Sequence, residues 1–416
     1  MAVFNFTVRA TDSEGSYADR QFNITVRNSR VERFMTITNN DAWTSPDATT
    51  WTQRVGAGGF TCAYGNGFWL IMKNAATCDI LKSTDGINYN AISTSEMTFL
   101  DPSGAVTTAP TTISSWSFLN KMKFWNGRFY LLHFANPSGQ KKTLSLWSTA
   151  DGVTWKQKIL TQTSGTSTAM LTFAATYGNS LMTEDGNTLF IPFSSSSGST
   201  SLLDTANGFT PCMGWSTTDG ETFTPIRNST TTTTAQGSTS ITRFNGLYIA
   251  NNTIYNGTTY GVGGTQYQYI YSTDGVNWTA GDYSLTSSGV NTSFRTSTQY
   301  YAWNPPIYAN GQLFSFASKP STISTGLGLF YITSMDGLVW DRVVNIKTFN
   351  SSNCLTNVIY KNGVFFLSGS NTAGTDNTSS VGNSNNGFRV SIDGVNWDNN
   401  INITSGSPAY NDSAAM

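Results

Sequence analysis

Seven aspartates stand in one recurring setting: a serine shortly before, a glycine after in all but one, and an aromatic ring four residues on. The copies are Ser45-Pro-Asp47-Ala-Thr-Thr-Trp51, Ser83-Thr-Asp85-Gly-Ile-Asn-Tyr89, Ser148-Thr-Ala-Asp151-Gly-Val-Thr-Trp155 and Ser216-Thr-Thr-Asp219-Gly-Glu-Thr-Phe223. Ser272-Thr-Asp274-Gly-Val-Asn-Trp278, Ser334-Met-Asp336-Gly-Leu-Val-Trp340 and Ser391-Ile-Asp393-Gly-Val-Asn-Trp397 complete the set. A carboxylate held in a fixed turn could act as a general acid or base, or ligate calcium. Little else in the chain could share such work. His133 is the single histidine, and the glutamates are Glu14, Glu32, Glu96, Glu184 and Glu221. One imidazole excludes histidine-rich metal sites, and a Ser-His-Asp triad would have to use His133. Cys62, Cys78, Cys212 and Cys354 form no Cys-x-x-Cys pair, which argues against a zinc knuckle. Cys62 and Cys78 are near enough in sequence to bridge adjacent strands, and buried thiols are the favoured reading.

The spacing of the aspartates decides between chemistry and architecture. Successive copies lie 38 to 68 residues apart along the whole chain. Turns so distributed cannot all belong to one site. Each residue type also has a structural use: Asp accepts hydrogen bonds from the backbone of its own turn, Gly adopts a conformation that side chains disfavour, and the ring supplies a large buried surface. No metal site and no cofactor are expected.

The elements that carry these turns can be read from a second repeat. Asn66-Gly67, Asn126-Gly127, Asn245-Gly246, Asn310-Gly311 and Asn362-Gly363 each sit between apolar runs, and Asp185-Gly186 fills the remaining slot. Asn-Gly in that context marks a two-residue hairpin turn. The order is then strand, Asn-Gly turn, strand, loop, strand, Asp-Gly turn, strand. In the shortest unit the four strands fall near 60–64, 68–72, 80–82 and 89–92. Four antiparallel strands repeated radially make a β-propeller blade. The expected fold is all-β: a seven-bladed propeller over residues 31–407, with six blades as the alternative, and a C-terminal tail at 408–416. Six Asn-Gly-type hairpins accompany seven Asp turns, so the first Asp turn lacks an obvious inner pair. Residues near Ile401 could close the ring from the other end. Residues 1–30 alternate with period two on both arms of a hairpin. An isolated hairpin is marginal in water, so this arm is expected to dock on the wheel, complete a blade or pair with another subunit.

The Asp-Gly-x-x-Trp copies resemble the Asp boxes of sialidase-type and related propellers, over about residues 31–400. They depart from the common pattern, which has an extra residue before Gly and a Thr before Trp. The compact version is similar to repeats in phage tail and virion proteins, and the arm resembles the last hairpin of a cadherin- or immunoglobulin-like module. The resemblance implies a structural Asp box built on Asp47, Asp85, Asp151, Asp219, Asp274, Asp336 and Asp393 with Trp51, Trp155, Trp278, Trp340 and Trp397. It speaks to fold, not to activity.

Composition narrows the function. Charged residues make up 11% and the formal net charge is −1, which argues against binding a phosphate backbone. No apolar run reaches the ~18 residues of a membrane helix. The N-terminus has neither a basic nor an apolar signal region, yet a Ser/Thr/Asn/Gly-rich surface suits the outside of a cell. A virion protein released by lysis reconciles the two. The short turns share one face of such a wheel, and the loops around 93–118, 194–211, 226–240, 251–266, 280–300, 317–327 and 369–387 share the other. Recognition usually resides on variable loops carried by a rigid scaffold, and Trp116, Tyr255, Tyr260, Tyr300, Tyr301 and Trp303 are the candidate ligand contacts there. The expected protein is a non-enzymatic component of a bacteriophage particle, such as a tail fibre, baseplate or capsid decoration. Its expected partners are other virion proteins, engaged through the hairpin, a host-surface glycan and further copies of itself. The alternatives are a sialidase-like glycosidase and a propeller-type assembly factor. The sialidase resemblance implies an arginine triad, a Tyr–Glu pair and an acid Asp, and this chain has Phe190-Ile191-Pro192 where an Arg-Ile-Pro would be sought.

Overall fold

The structure, a computed structural model, describes residues 2–26, 32–38, 40–73, 79–107, 117–118, 122–135, 143–162, 182–192, 213–226, 240–251, 254–255, 258–259, 269–281, 302–303, 306–318, 329–347, 357–369, 387–397, 401–402 and 412–416. They form a seven-bladed β-propeller of mostly four-stranded antiparallel sheets. Blade 2 is the simplest, with strands Thr61–Gly65, Phe68–Met72, Ile80–Ser83 and Asn90–Ile92 in spatial order. Blades 3 to 7 repeat it, with innermost strands Lys123–Trp125, Thr183–Glu184, Ser240–Phe244, Ile307–Ala309 and Asn357–Lys361.

The sequence explains both turns of each blade. Asn and Gly have positive φ in all five Asn-Gly pairs, the backbone that lets a two-residue loop follow the twist of its strands. The Asp185 slot differs. There the turn spans four residues, with the Asp185 amide donating to the Thr188 carbonyl at 3.1 Å, and only Gly186 takes the left-handed conformation. The second strand of a blade is flanked by sheets on both sides. It therefore reads as an unbroken apolar run, as in Phe68–Met72 and Leu189–Pro192, both buried throughout. The core lies between blades: Trp69, Ile71 and Leu81 of blade 2 meet Met35, Ile37 and Ala42 of blade 1, and Phe314 and Phe316 of blade 6 meet Phe365 and Leu367 of blade 7.

The ring closes where it was not expected. Blade 1 has the order Asp412–Ala415, Phe34–Ile37, Ala42–Ser45, Thr52–Arg54. The final residues thus supply its innermost strand, in the register Phe34↔Ala415 to Ile37↔Asp412. Residues 412–416 belong to the wheel, not to a tail. Ile401–Asn402 instead pairs with Gly387 and Phe388 as the outer strand of blade 7. This is also why blade 1 has no inner Asn-Gly pair: its two inner strands come from opposite ends of the chain.

Among the described residues, the N-terminal arm completes no blade: Ala2–Thr11 and Tyr17–Val26 pair with each other as a separate two-stranded sheet, and residues 7–21 are exposed. Blade 3 is larger than its neighbours. Thr98–Leu100, from the segment expected to be loop, pairs parallel with the outer strand of blade 3, and Val106–Thr107 pairs with it in turn. Phe99 thereby packs edge-on to Trp147.

His133 lies in the buried centre of the blade 3 strand Arg128–Ala135. Burial keeps its imidazole neutral, with a pKa pushed down to about 4. An unfolded histidine titrates near 6.5, so between these values the unfolded state binds the extra proton. Stability is fully present above about pH 6.5 and falls as pH drops toward 4, by at most about 1.4 kcal/mol per unit. With no second histidine to blur it, His133→Leu should flatten this stretch in urea denaturation followed at pH 7, 5.5 and 4.5.

Candidate functional site

Each Asp turn is built to one plan. In blade 2 the Asp85 Oδ1 accepts the backbone N–H groups of Ile87 and Asn88, both at 2.8 Å, and the Ser83 hydroxyl at 3.0 Å. The Ser83 oxygen accepts the Gly86 amide at 2.8 Å, and the Tyr89 hydroxyl donates back to the Gly86 carbonyl at 2.9 Å. Asp47, Asp151, Asp219, Asp274, Asp336 and Asp393 each accept the same two amides, two and three residues ahead. The hydroxyl always sits two residues before the Asp. In blades 3 and 4 that places Thr149 and Thr217 in the slot, not Ser148 and Ser216, because only the side chain two positions back points into the turn. Blade 1 holds Ala48 at φ 64° in the glycine position.

These carboxylates are committed to ionisation. Burial raises the Asp85 pKa, but the amides of Asn88 and Ile87 outweigh it and bring the group down to about 2. Backbone amides likewise depress Asp219, Asp274 and Asp393. A depressed carboxylate contributes stability above its unfolded pKa near 3.9, and the contribution is lost as pH falls through the folded value. The wheel should therefore lose stability steeply between about pH 4 and 2, below the His133 step.

The turns also fasten neighbouring blades. A Cβ on Gly152 of blade 3 would lie 2.9 Å from Leu70 of blade 2, and one on Gly394 of blade 7 would lie 2.9 Å from Phe314 of blade 6. Trp155, Trp278 and Trp340 are buried. Trp51 stacks on Phe366 of blade 7 at 5.1 Å, and Trp397 meets Phe316 of blade 6 edge-on at 5.9 Å. Asp85→Ala strips two amides of their acceptor and should cost about 2–3 kcal/mol. Asp85→Asn keeps an oxygen in place and should cost less than half of that. Chemical denaturation of both variants at pH 7 checks the order.

The structure offers a second site at the axis. A cavity of ≈ 930 Å³ runs down the wheel, lined by the innermost strand of every blade. Five lining residues occupy one sequence position, two before the Asn of an Asn-Gly pair: Tyr64, Phe124, Arg243, Tyr308 and Tyr360. That position is a signal present in the sequence itself, two residues before each recurring Asn-Gly pair. Lys123 and Lys361 add charge, and Glu184 is the one carboxylate among the described lining residues. Glu184 is bonded to Lys123 at 3.0 Å, while Arg243 faces Asp185 at 3.4 Å. The Tyr360 hydroxyl is 2.9 Å from the Asn310 Oδ1. Such a channel can hold a polar or ring-bearing group. Hydrolysis of a glycosidic bond takes two carboxylates roughly 5–9.5 Å apart, which these lining residues do not provide.

The loop aromatics fare differently. Trp116, Tyr260, Tyr300 and Tyr301 lie outside the described residues. Tyr255 falls in the short strand Ile254–Tyr255, and Trp303 in Ala302–Trp303, which extends the inner edge of blade 6. Cys62 is buried between blades 1 and 2, whereas Cys78, Cys212 and Cys354 are outside the described residues. Glu32 is fully buried and bonded to Arg54 at 2.9 Å. Among the described residues no cluster of three metal-ligating side chains occurs, and no helix is long and apolar enough to cross a membrane.

No family model matches the chain, and no curated protein matches it. Solved structures do. YCF48 bound to a D1 peptide aligns at 12% identity over 83% of this chain and 91% of that one, with a TM-score of 0.40. The endosialidase of phage phi92 aligns at 12% over 85% and 66%, at 0.34. Zg3597, a family 117 glycoside hydrolase of the marine bacterium Zobellia galactanivorans, aligns at 12% over 68% and 68%, at 0.31. These are distant likenesses of fold, and no residue role is carried over from them.

Proposed function

We propose that the chain is a non-enzymatic structural protein of a bacteriophage particle, on the tail or the capsid surface. It presents a rigid wheel whose long-loop face contacts a host-surface glycan or neighbouring particle proteins. The observation that carries this reading is the use made of the carboxylates. Seven of them are each saturated by their own turn and spread around the wheel, and the one among the described lining residues of the channel, Glu184, is tied to a lysine. This inventory suits a scaffold that binds. The polar, weakly charged composition and the compact form of the repeat support the particle setting, with release into the medium on host lysis.

Two measurements test it. On an array of sialosides and other glycans, the protein should be retained without releasing sugar. Sugar release at any rate above buffer would replace the reading with a glycosidase. Mass spectrometry of purified particles from the phage that encodes the chain should find it in stoichiometric amount. Its absence there, with presence in infected-cell lysate, would favour an assembly factor.

A further inference from the structure

The axial channel differs from one wall to the other. Blades 1 to 3 line it with Tyr64, Met122, Phe124 and Ala415, whereas blades 5 to 7 line it with Thr242, Arg243, Tyr308, Tyr360 and Lys361. Blade 4 contributes Glu184, which Lys123 of blade 3 neutralises at 3.0 Å. The described lining residues thus hold three cations, Lys123, Arg243 and Lys361, against one carboxylate, in a chain whose net charge is −1. The excess lies on blades 5 and 7. The Arg243 guanidinium is steadied 5.1 Å from the Tyr248 ring centre and 3.4 Å from Asp185, and its side chain stays 39% exposed. Lys361 is exposed, and among the described residues no carboxylate pairs with it.

Two tyrosines bridge these cations. The Tyr308 ring, 57% exposed, packs on Phe244 of blade 5 at 5.2 Å, and the Tyr360 hydroxyl of blade 7 bonds to Asn310 of blade 6 at 2.9 Å. Arg243, Tyr308, Tyr360 and Lys361 all stand one or two residues before an Asn-Gly turn, so the arc they form is at the turn end of the channel. The Asn66 amide fixes which face that is: it donates to the carbonyls of Gly127, in the next Asn-Gly turn, and of Ala150, beside an Asp turn. One further group lies along the same wall. Thr242 is 8% exposed, and its hydroxyl has no hydrogen-bond partner among the described residues. Thr183 of blade 4, by contrast, spends its hydroxyl on the Ile241 carbonyl. A buried hydroxyl is costly to leave unbonded, and a polar ligand atom in the channel would satisfy it.

We propose that the turn end of the channel, along blades 5–7, binds a small ring-bearing carboxylate. Arg243 and Lys361 meet the carboxylate, for which the planar guanidinium fork is well matched. Tyr308 and Tyr360 cover the ring, and Thr242 bonds to a polar substituent that reaches inward. A cavity of ≈ 930 Å³ is of the size that holds a small molecule, and an apolar wall facing a few placed polar groups is the usual make-up of such a site. Acid sugars and aromatic acids share this chemistry. The site lies at the opposite end of the wheel from the long loops, and it stands apart from the particle reading.

A ligand-observed NMR titration of the full chain at low ionic strength tests it, with glucuronate, benzoate, glucose and inorganic phosphate added separately. At least one of the two acids should bind with a Kd below about 1 mM, and the tighter of them identifies the source, sugar acid or aromatic acid. Glucose and phosphate should each bind at least tenfold more weakly. Arg243→Gln and Lys361→Gln should each weaken the acid about fivefold or more, and Thr242→Val about threefold. Lys158→Gln, which removes a cation from the outer strand of blade 3, should change nothing. An unchanged melting temperature confirms the wheel in each variant, and Lys361→Gln, with no ion pair to lose, carries the test should Arg243→Gln disturb it. Binding of neither acid, equal binding of glucose or phosphate, or a loss in Lys158→Gln as large as that in Lys361→Gln would each overturn the assignment.

Discussion

Deleting residues 412–416 is expected to abolish cooperative folding of the wheel. The five residues look dispensable by position and composition, yet they carry the innermost strand of blade 1. Ala414 and Met416 pack with Met35, Ile37 and Cys62 at the boundary of blades 1 and 2, and Ala415 packs with Phe34, Phe366 and Val390 at the boundary of blades 7 and 1. The Met416 amide bonds to the Arg33 carbonyl at 2.8 Å. Without the strand, Phe34, Met35 and Ile37, all buried, face an open channel, and the edge of Phe34–Ile37 loses its backbone partners. At about 1.5–3 kcal/mol for each exposed side chain, the loss is on the order of 5 kcal/mol. Typical total stability is about 5–15 kcal/mol. The truncated chain should therefore lack a sharp thermal transition and bind a hydrophobic dye. A synthetic peptide of residues 408–416, added in excess, should restore the transition by strand addition. A truncated chain that melts within 5 °C of the intact one would refute the closure.

The architecture was legible because both recurring turns have strict local rules. Asn-Gly with two positive φ angles and an Asp that saturates its own turn depend on residues within five positions. Their order along the chain then dictates four antiparallel strands per unit. What was not legible depends on long-range pairing. Asp412–Ala415 carries no turn signal and only two alanines as apolar residues, so nothing local marks it as a strand. Its partner lies near the opposite end of the chain. Thr98–Leu100 is equally obscure, because a parallel edge pairing with blade 3 follows from no hairpin. Thr149 and Thr217 were masked by a neighbouring serine that fitted the repeat in letters but not in geometry.

The candidate site divides the same way. That the aspartates are structural followed from their distribution. The channel lining did not, because which strand is innermost becomes useful only once the wheel is assembled. The position two before each Asn-Gly pair then gathers Tyr64, Phe124, Arg243, Tyr308 and Tyr360 on one axis.

Arg54→Ala is expected to be the most damaging single substitution among the charged residues of blade 1. Glu32 is fully buried, its carboxylate 2.9 Å from the Arg54 guanidinium. Arg54 also donates to the Thr44 hydroxyl at 3.0 Å. The pair sits where the chain enters the wheel, against the Asp turn of blade 2: a Cβ on Gly86 would come within 2.7 Å of the Glu32 Cβ. Removing the arginine leaves a buried carboxylate without its cation, which costs about 3–5 kcal/mol in comparable sites. Removing the charge instead, in Glu32→Gln, leaves a guanidinium that is 17% exposed and can find water, so the cost should be nearer 1–2 kcal/mol. The asymmetry is the test. In a double-mutant cycle followed by urea denaturation, Arg54→Ala combined with Glu32→Gln should be more stable than Arg54→Ala alone, because the orphaned charge is gone. Were the two effects simply to add, Glu32 would be held by its packing and not by its partner, and the junction of blades 1 and 2 would owe nothing to the ion pair.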